Sequence, residues 1–119
     1  MARILVVDYS PFMRKVITDA LKAGDYEIAG EASNGYQAVA RFQELHPDLT
    51  TLDITLPDVD GLVALRVILA LDATAKVIMC SALGGEDKVV EAIRSGAKDF
   101  VVKPLHAGRL LEAVAKAFV

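Results

Sequence analysis

Cysteine is nearly absent from this chain of 119 residues: Cys80 is the only one. A single thiol cannot close an internal disulfide, so the sequence points to a reducing compartment, the cytoplasm. No apolar run approaches the roughly 18 residues of a membrane span, and the N-terminus lacks a secretory pattern. Positive charge is scarce as well. Lys and Arg number 13 against 16 Asp and Glu, a formal net charge of -3. With no Lys/Arg cluster to neutralise phosphates, general nucleic-acid binding is excluded. Low-complexity stretches, linkers and internal repeats are missing too. What remains is one domain over residues 1–119, whose 54% hydrophobic residues fill a single core.

The apolar pattern alternates between two periods. Arg3 to Val7 is a strand. Ser10 and Pro11 open a helix whose apolar face is Met13, Val16, Ile17, Ala20 and Leu21, ended by Gly24. A short strand covers Tyr26 to Glu31. Asn34-Gly35 reads as a turn before a second helix marked by Ala38, Val39, Phe42 and Leu45 and stopped at His46-Pro47. A strand ends at Asp53, and a third helix spans Gly61 to Leu71. Lys76 to Cys80 is a strand, Gly84-Gly85 a loop, and Glu86-Asp87 suits the start of a fourth helix ended by Gly96. Asp99 to Val102 and Arg109 to Phe118 are the last strand and helix. Five alternations call for an α/β fold with a parallel sheet covered on both faces.

Four strand ends carry the chemistry. They bring Asp8, Asp53, Ser81 and Lys103 to the carboxyl rim, where open α/β sheets bind their ligands. Each residue alone has an ordinary structural reading: a loop cap, a helix entry, a turn, a solvated strand end. Together they supply a carboxylate nucleophile toward phosphorus, a second carboxylate for a hard cation, a hydroxyl and an ammonium. Those are the parts of a phosphoryl-transfer site.

The segments ILVVDYSPFMRKVI, EASNGYQAV, LDITLPDVDGL, VIMCSALG and EAIRSGAKDFVVKP resemble the receiver domains of two-component response regulators, in particular the single-domain chemotaxis (CheY-like) members. The resemblance covers essentially the whole chain. It implies a doubly wound, flavodoxin-like sheet of order 2-1-3-4-5 flanked by five helices. It implies Asp53 as phosphoacceptor, Ser81 as the switch hydroxyl, Lys103 as the phosphoryl-contacting lysine and Pro104 as a cis-proline. Mg²⁺ would be held by Asp8, Asp53 and the Thr55 backbone carbonyl, and Phe100 takes the aromatic switch position. The implied partners are a histidine kinase and a downstream protein, the flagellar-motor switch protein in stand-alone members. Leu83 and Thr55 take positions that influence phosphoryl lifetime.

Two features depart from that pattern. Tyr9 replaces the second acidic residue at the end of strand one. A neutral phenol is a poor ligand for a hard cation, so Mg²⁺ binding is expected to weaken. The third helix buries Leu62, Leu65, Ile68 and Leu69, and adds a stripe of Val63, Val67 and Ala70 that points to an interface, either a homodimer or partner docking. These departures feed an alternative: a pseudo-receiver or engineered receiver that works by binding or dimerising without phosphorylation. An enzyme or cofactor binder has less support, since P-loop and GxGxxG cradles are missing. Thr55 stands where a phosphatase would place a second Asp. Asp58 and Asp60 are expected to cap the third helix, and Cys80 to be a core residue. His46 and His106 have no zinc-ligand spacing around them.

Overall fold

The computed structural model describes residues 1–82 and 85–119; Leu83 and half of the Gly84-Gly85 loop lie outside them. The elements in chain order are β1 (Arg3–Val7), α1 (Pro11–Ala23), β2 (Glu27–Ala32), α2 (Gly35–Leu45), β3 (Leu49–Asp53), α3 (Gly61–Leu71), β4 (Val77–Ser81), α4 (Glu86–Ser95), β5 (Asp99–Val102) and α5 (Ala107–Ala117). All pairings are parallel, in the order β2-β1-β3-β4-β5 expected from the resemblance.

Strand alternation sorts the core into two layers. Leu5, Val7, Leu52, Ile54, Val77 and Met79 pack with α2, α3 and α4 residues on one face. Ile4, Val6, Leu49, Ile78, Cys80 and Val101 pack with α1 and α5 residues on the other. Strands β3 and β4 are buried at every position, which is why neither sequence alternates apolar with exposed polar residues. Thr50 and Thr51 are exceptions in chemistry: both hydroxyls are buried without a partner among the described residues.

Capping shows where the local reading needed correcting. Ser10 caps α1 through Met13 N–H, as the sequence indicated. Asn34-Gly35 is not a free turn. Asn34 is the N-cap of α2, accepting from Gln37 N–H, and Gly35 is its first residue. Asp60 caps α3 through Leu62 N–H, but Asp58 reaches across to α2, accepting from Gly35 and Tyr36 N–H at 2.8 and 2.9 Å. A carboxylate next to four unpaired helix amides is stabilised wherever those amides belong. Other boundaries move by a residue or two: β2 and β4 start and end later, and α5 begins at Ala107 rather than Arg109.

Helix α3 buries Leu62, Leu65 and Ile68 as expected, together with Ala64. Val63 and Val67 are 45% and 39% exposed, and Ala70 is exposed. Arg66 sits between the two valines and reaches Glu91 and Ser95 on α4. Leu71, at the end of the same helix, is 49% exposed.

Candidate functional site

Register places the site. Val7 pairs with Leu52, so Asp8 and Asp53 emerge side by side one residue later. Asp53 pairs with Cys80 and Ser81 with Val102, which sets Ser81 and Lys103 at the same rim. The Lys103–Pro104 bond is cis, as the resemblance implied. Asp8 and Asp53 are buried, and the Lys103 ammonium bridges them at 2.9 Å to Asp8 Oδ2 and 3.0 Å to Asp53 Oδ2. The remaining oxygens face amides: Ser10 N–H donates to Asp8 Oδ1 and Thr55 N–H to Asp53 Oδ1.

One ammonium thus serves two carboxylates. Burial works against the charge on Lys103, yet the hydrogen bond to Asp8 and the charge of Asp53 outweigh it, and its pKa lies above the ordinary lysine value. Asp53 shifts in the disfavoured direction. Burial raises its pKa above the usual carboxylate value, Lys103 opposes this without cancelling it, and Asp8 adds to it. The two shifts disagree on how well the pair is satisfied because Lys103 gains two anions while Asp53 gains half a cation. Folding therefore stabilises the proton on Asp53, and that contribution is lost as pH rises through the raised pKa. Asp53→Asn is accordingly expected to raise the melting temperature at pH 7, with the gap to wild type closing as the pH falls through the carboxylate range. A thermal series from pH 7 downward reads this directly; a constant gap would contradict it.

Ser81 reaches the rim, where its carbonyl accepts from Lys103 N–H at 2.7 Å, but its hydroxyl bonds neither Asp53 nor Lys103. Its hydroxyl donates to the Ala82 carbonyl at 2.9 Å and lies against Gly85, where an added Cβ would sit 2.4 Å from Ser81 Oγ. Phe100 is half-buried between the core and a largely apolar groove of about 510 Å³ under α4, lined also by Ser81, Val89, Val90, Ile93 and Val102. Tyr9, beside Asp8, is 63% exposed. Cys80 is fully buried and its thiol is pushed up to about 12 by burial, which fits the core role.

Arg14 was not singled out in the sequence, and it holds the Asp8–Tyr9 loop. Its guanidinium donates to the carbonyls of Asp8 and Tyr9 at 2.6 and 3.2 Å and pairs with Glu31. Its place in the first turn of α1, six residues after Asp8, was the available signal. Glycine marks a second unread contact, since Gly61 N–H donates to the Ile54 carbonyl at 2.7 Å beneath the acceptor loop.

Among the described residues no three His, Cys, Asp or Glu side chains gather as a metal cage. Asp8 and Asp53 offer two converging carboxylates. Mg²⁺ commonly binds through one or two carboxylates, waters and phosphate oxygens, so the residues fit that ion. Tyr9 contributes no anionic oxygen, and Lys103 competes for both carboxylates.

Comparison with known proteins agrees with this geometry. The family model for the response regulator receiver domain matches residues 4–115. The chain is 53% identical over 117 residues to the chemotaxis protein CheY of Listeria monocytogenes, covering 98% of each. It is 52% identical over 114 residues to the chemotaxis protein CheY of Bacillus subtilis, covering 96% of this chain and 95% of that one. Among solved structures, the CheX-CheY-BeF3-Mg²⁺ complex from Borrelia burgdorferi aligns with a TM-score of 0.95 at 38% identity, over 99% of this chain and 90% of that one. With the sheet order, the rim residues and the relatives in agreement, this chain belongs to the response regulator receiver domain family, as a homologue of the chemotaxis response regulators.

Proposed function

We propose that the protein is a phosphorylation switch in which Asp53 takes a phosphoryl group from the phosphohistidine of a histidine kinase. One Asp53 oxygen attacks phosphorus, an acyl phosphate bond forms, and the P–N bond breaks with its electron pair returning to the imidazole. Asp53 is suited to this because its carboxylate is buried, fixed by Thr55 N–H and poorly neutralised. Lys103 is already 3.0 Å from the reacting group and offsets charge on the transferring phosphoryl. Mg²⁺ bound through Asp8, Asp53 and the Thr55 carbonyl would supply further charge neutralisation, with weakened affinity because Tyr9 is not acidic. The observation that carries the reading is the Lys103 bridge between two buried carboxylates at the end of β1 and β3.

The phosphorylated form then acts through protein contacts. A new dianion draws the Ser81 hydroxyl away from the Ala82 carbonyl, and Phe100 follows into the space Ser81 leaves beside the α4 groove. A downstream protein reads the reshaped α4–β5 surface; the chemotaxis relatives suggest a flagellar-motor switch protein. Hydrolysis of the acyl phosphate is a self-directed reset rather than turnover of an external substrate. No helix among the described residues is long and apolar enough to cross a membrane; a cytoplasmic setting suits the kinase partner. Dimerisation through the exposed Val63, Val67 and Ala70 of α3 is not needed for this switch.

Intact-protein mass after incubation with acetyl phosphate tests the proposal. A phosphoryl adduct is expected that grows with Mg²⁺ concentration and vanishes in Asp53→Asn. An adduct that persists in the variant would move the acceptor elsewhere. Wild type that takes no phosphoryl at any Mg²⁺ concentration would favour the phosphorylation-independent alternative.

A further inference from the structure

A second lysine lines a cleft that shares Thr55 and Ser81 with the surroundings of the site. Lys88, in the first turn of α4, lines a polar cleft of about 380 Å³ together with Ile54, Thr55, Ser81, Ala82 and Asp87. Its ammonium sits 2.7 Å from Asp60 Oδ2, with about half of the lysine side chain exposed. The α3 cap uses the other oxygen, Asp60 Oδ1. Lys88 can therefore leave without uncapping α3, and an ion pair this exposed holds its partners weakly.

Charge counting gives it a reason to leave. Among the described residues, Asp8 and Asp53 share the one ammonium of Lys103. A phosphoryl group on Asp53 replaces one negative charge with about two and adds three acceptor oxygens. Asp87 in the same cleft increases the negative charge rather than relieving it. Among the described residues, Lys88 is the one cation lining the cleft. Gly85, the N-cap of α4, packs against the Ser81 hydroxyl, so a shift of that hydroxyl would be felt at the start of the helix that carries Lys88.

Building on Asp53 as the acceptor, we propose that Lys88 is a phosphoryl-binding residue that exchanges Asp60 for a phosphoryl oxygen and draws the start of α4 toward the site. The exchange forms one charge-assisted hydrogen bond and breaks an exposed one; no covalent step is involved.

Beryllium fluoride with Mg²⁺ provides the test, as a stable mimic of the phosphoryl group on a carboxylate. Fluorine NMR resolves the bound fluorines, and titration gives the affinity. Lys88→Gln is expected to shift one fluorine resonance, leave the others in place and weaken binding about tenfold. Asp60→Asn, which keeps a capping side chain, is expected to tighten binding by releasing Lys88. Wild-type binding with every resonance and the affinity unchanged in Lys88→Gln overturns the role of Lys88 while leaving Asp53 as acceptor. No bound fluoride in wild type overturns the acceptor reading and this inference with it.

Discussion

Tyr9→Asp is expected to tighten Mg²⁺ binding by on the order of 10- to 100-fold. Even outer-shell partners of a metal ligand are worth that much, and this change adds a carboxylate beside two that already converge. The same substitution is expected to lower the stability of the metal-free protein by on the order of 1 kcal/mol. Three carboxylates would then share the single ammonium of Lys103, and like charges at intermediate dielectric repel on that scale. The paired signs make the prediction sharp. Calorimetric Mg²⁺ titration should show the gain, and melting in EDTA the loss, with excess Mg²⁺ restoring the melting temperature. Acetyl phosphate labelling should accelerate in parallel at low Mg²⁺. Unchanged Mg²⁺ affinity would place position 9 outside the metal's reach.

Gly61→Ala is expected to be the most damaging small change in the chain. A Cβ there would lie 2.2 Å from the Asp53 carbonyl oxygen, 2.6 Å from Ile54 Cα and 2.7 Å from the Ile54 carbonyl oxygen. All three atoms are backbone, so none can swing aside as a side chain would. Relief requires α3 to lift from the acceptor strand, breaking the Gly61 N–H to Ile54 hydrogen bond and pulling the Thr55 amide from Asp53. Overpacking of this kind costs about 3 kcal/mol. Denaturant unfolding should show that loss, and labelling of Asp53 should fall even in the folded fraction. Gly108→Ala is the matched control. Nothing lies within 4 Å of a Cβ at that position in α5, so the substitution should be neutral or gain up to about 1 kcal/mol from helix propensity. Equal outcomes for both glycines would refute the close-approach argument.

The rim was legible because it depends on where strands stop. Asp8, Asp53, Ser81 and Lys103 each close a stretch suited to a buried strand, and parallel alternation brings those ends to one edge. Sheet order was not legible from period and came from the resemblance, since alternation fixes parallel strands without fixing which neighbours pair. Asp58 illustrates a different limit. A short acidic side chain seeks unpaired amides, and the sequence offers α3 three residues away. The structure offers the start of α2, whose Gly35 allows Val59 and Asp58 to approach. Arg14 and Lys88 were hidden for a related reason: each acts through a partner distant in sequence or through carbonyls, which leave no residue pattern. Tyr9 was visible as a departure, but only coordinates could show that its ring points to solvent rather than into the site.

The division of the core into two layers has a consequence for how such a protein can diversify. The sheet acts as a bulkhead: side chains touching α1 and α5 are different residues from those touching α2, α3 and α4. A lineage could resurface the α4–β5 side for a new listener while the α1–α5 side kept its packing intact. The rim lies across both layers, and there Asp8 and Asp53 share one ammonium. Changes on opposite faces should therefore combine freely, whereas changes at the rim should not.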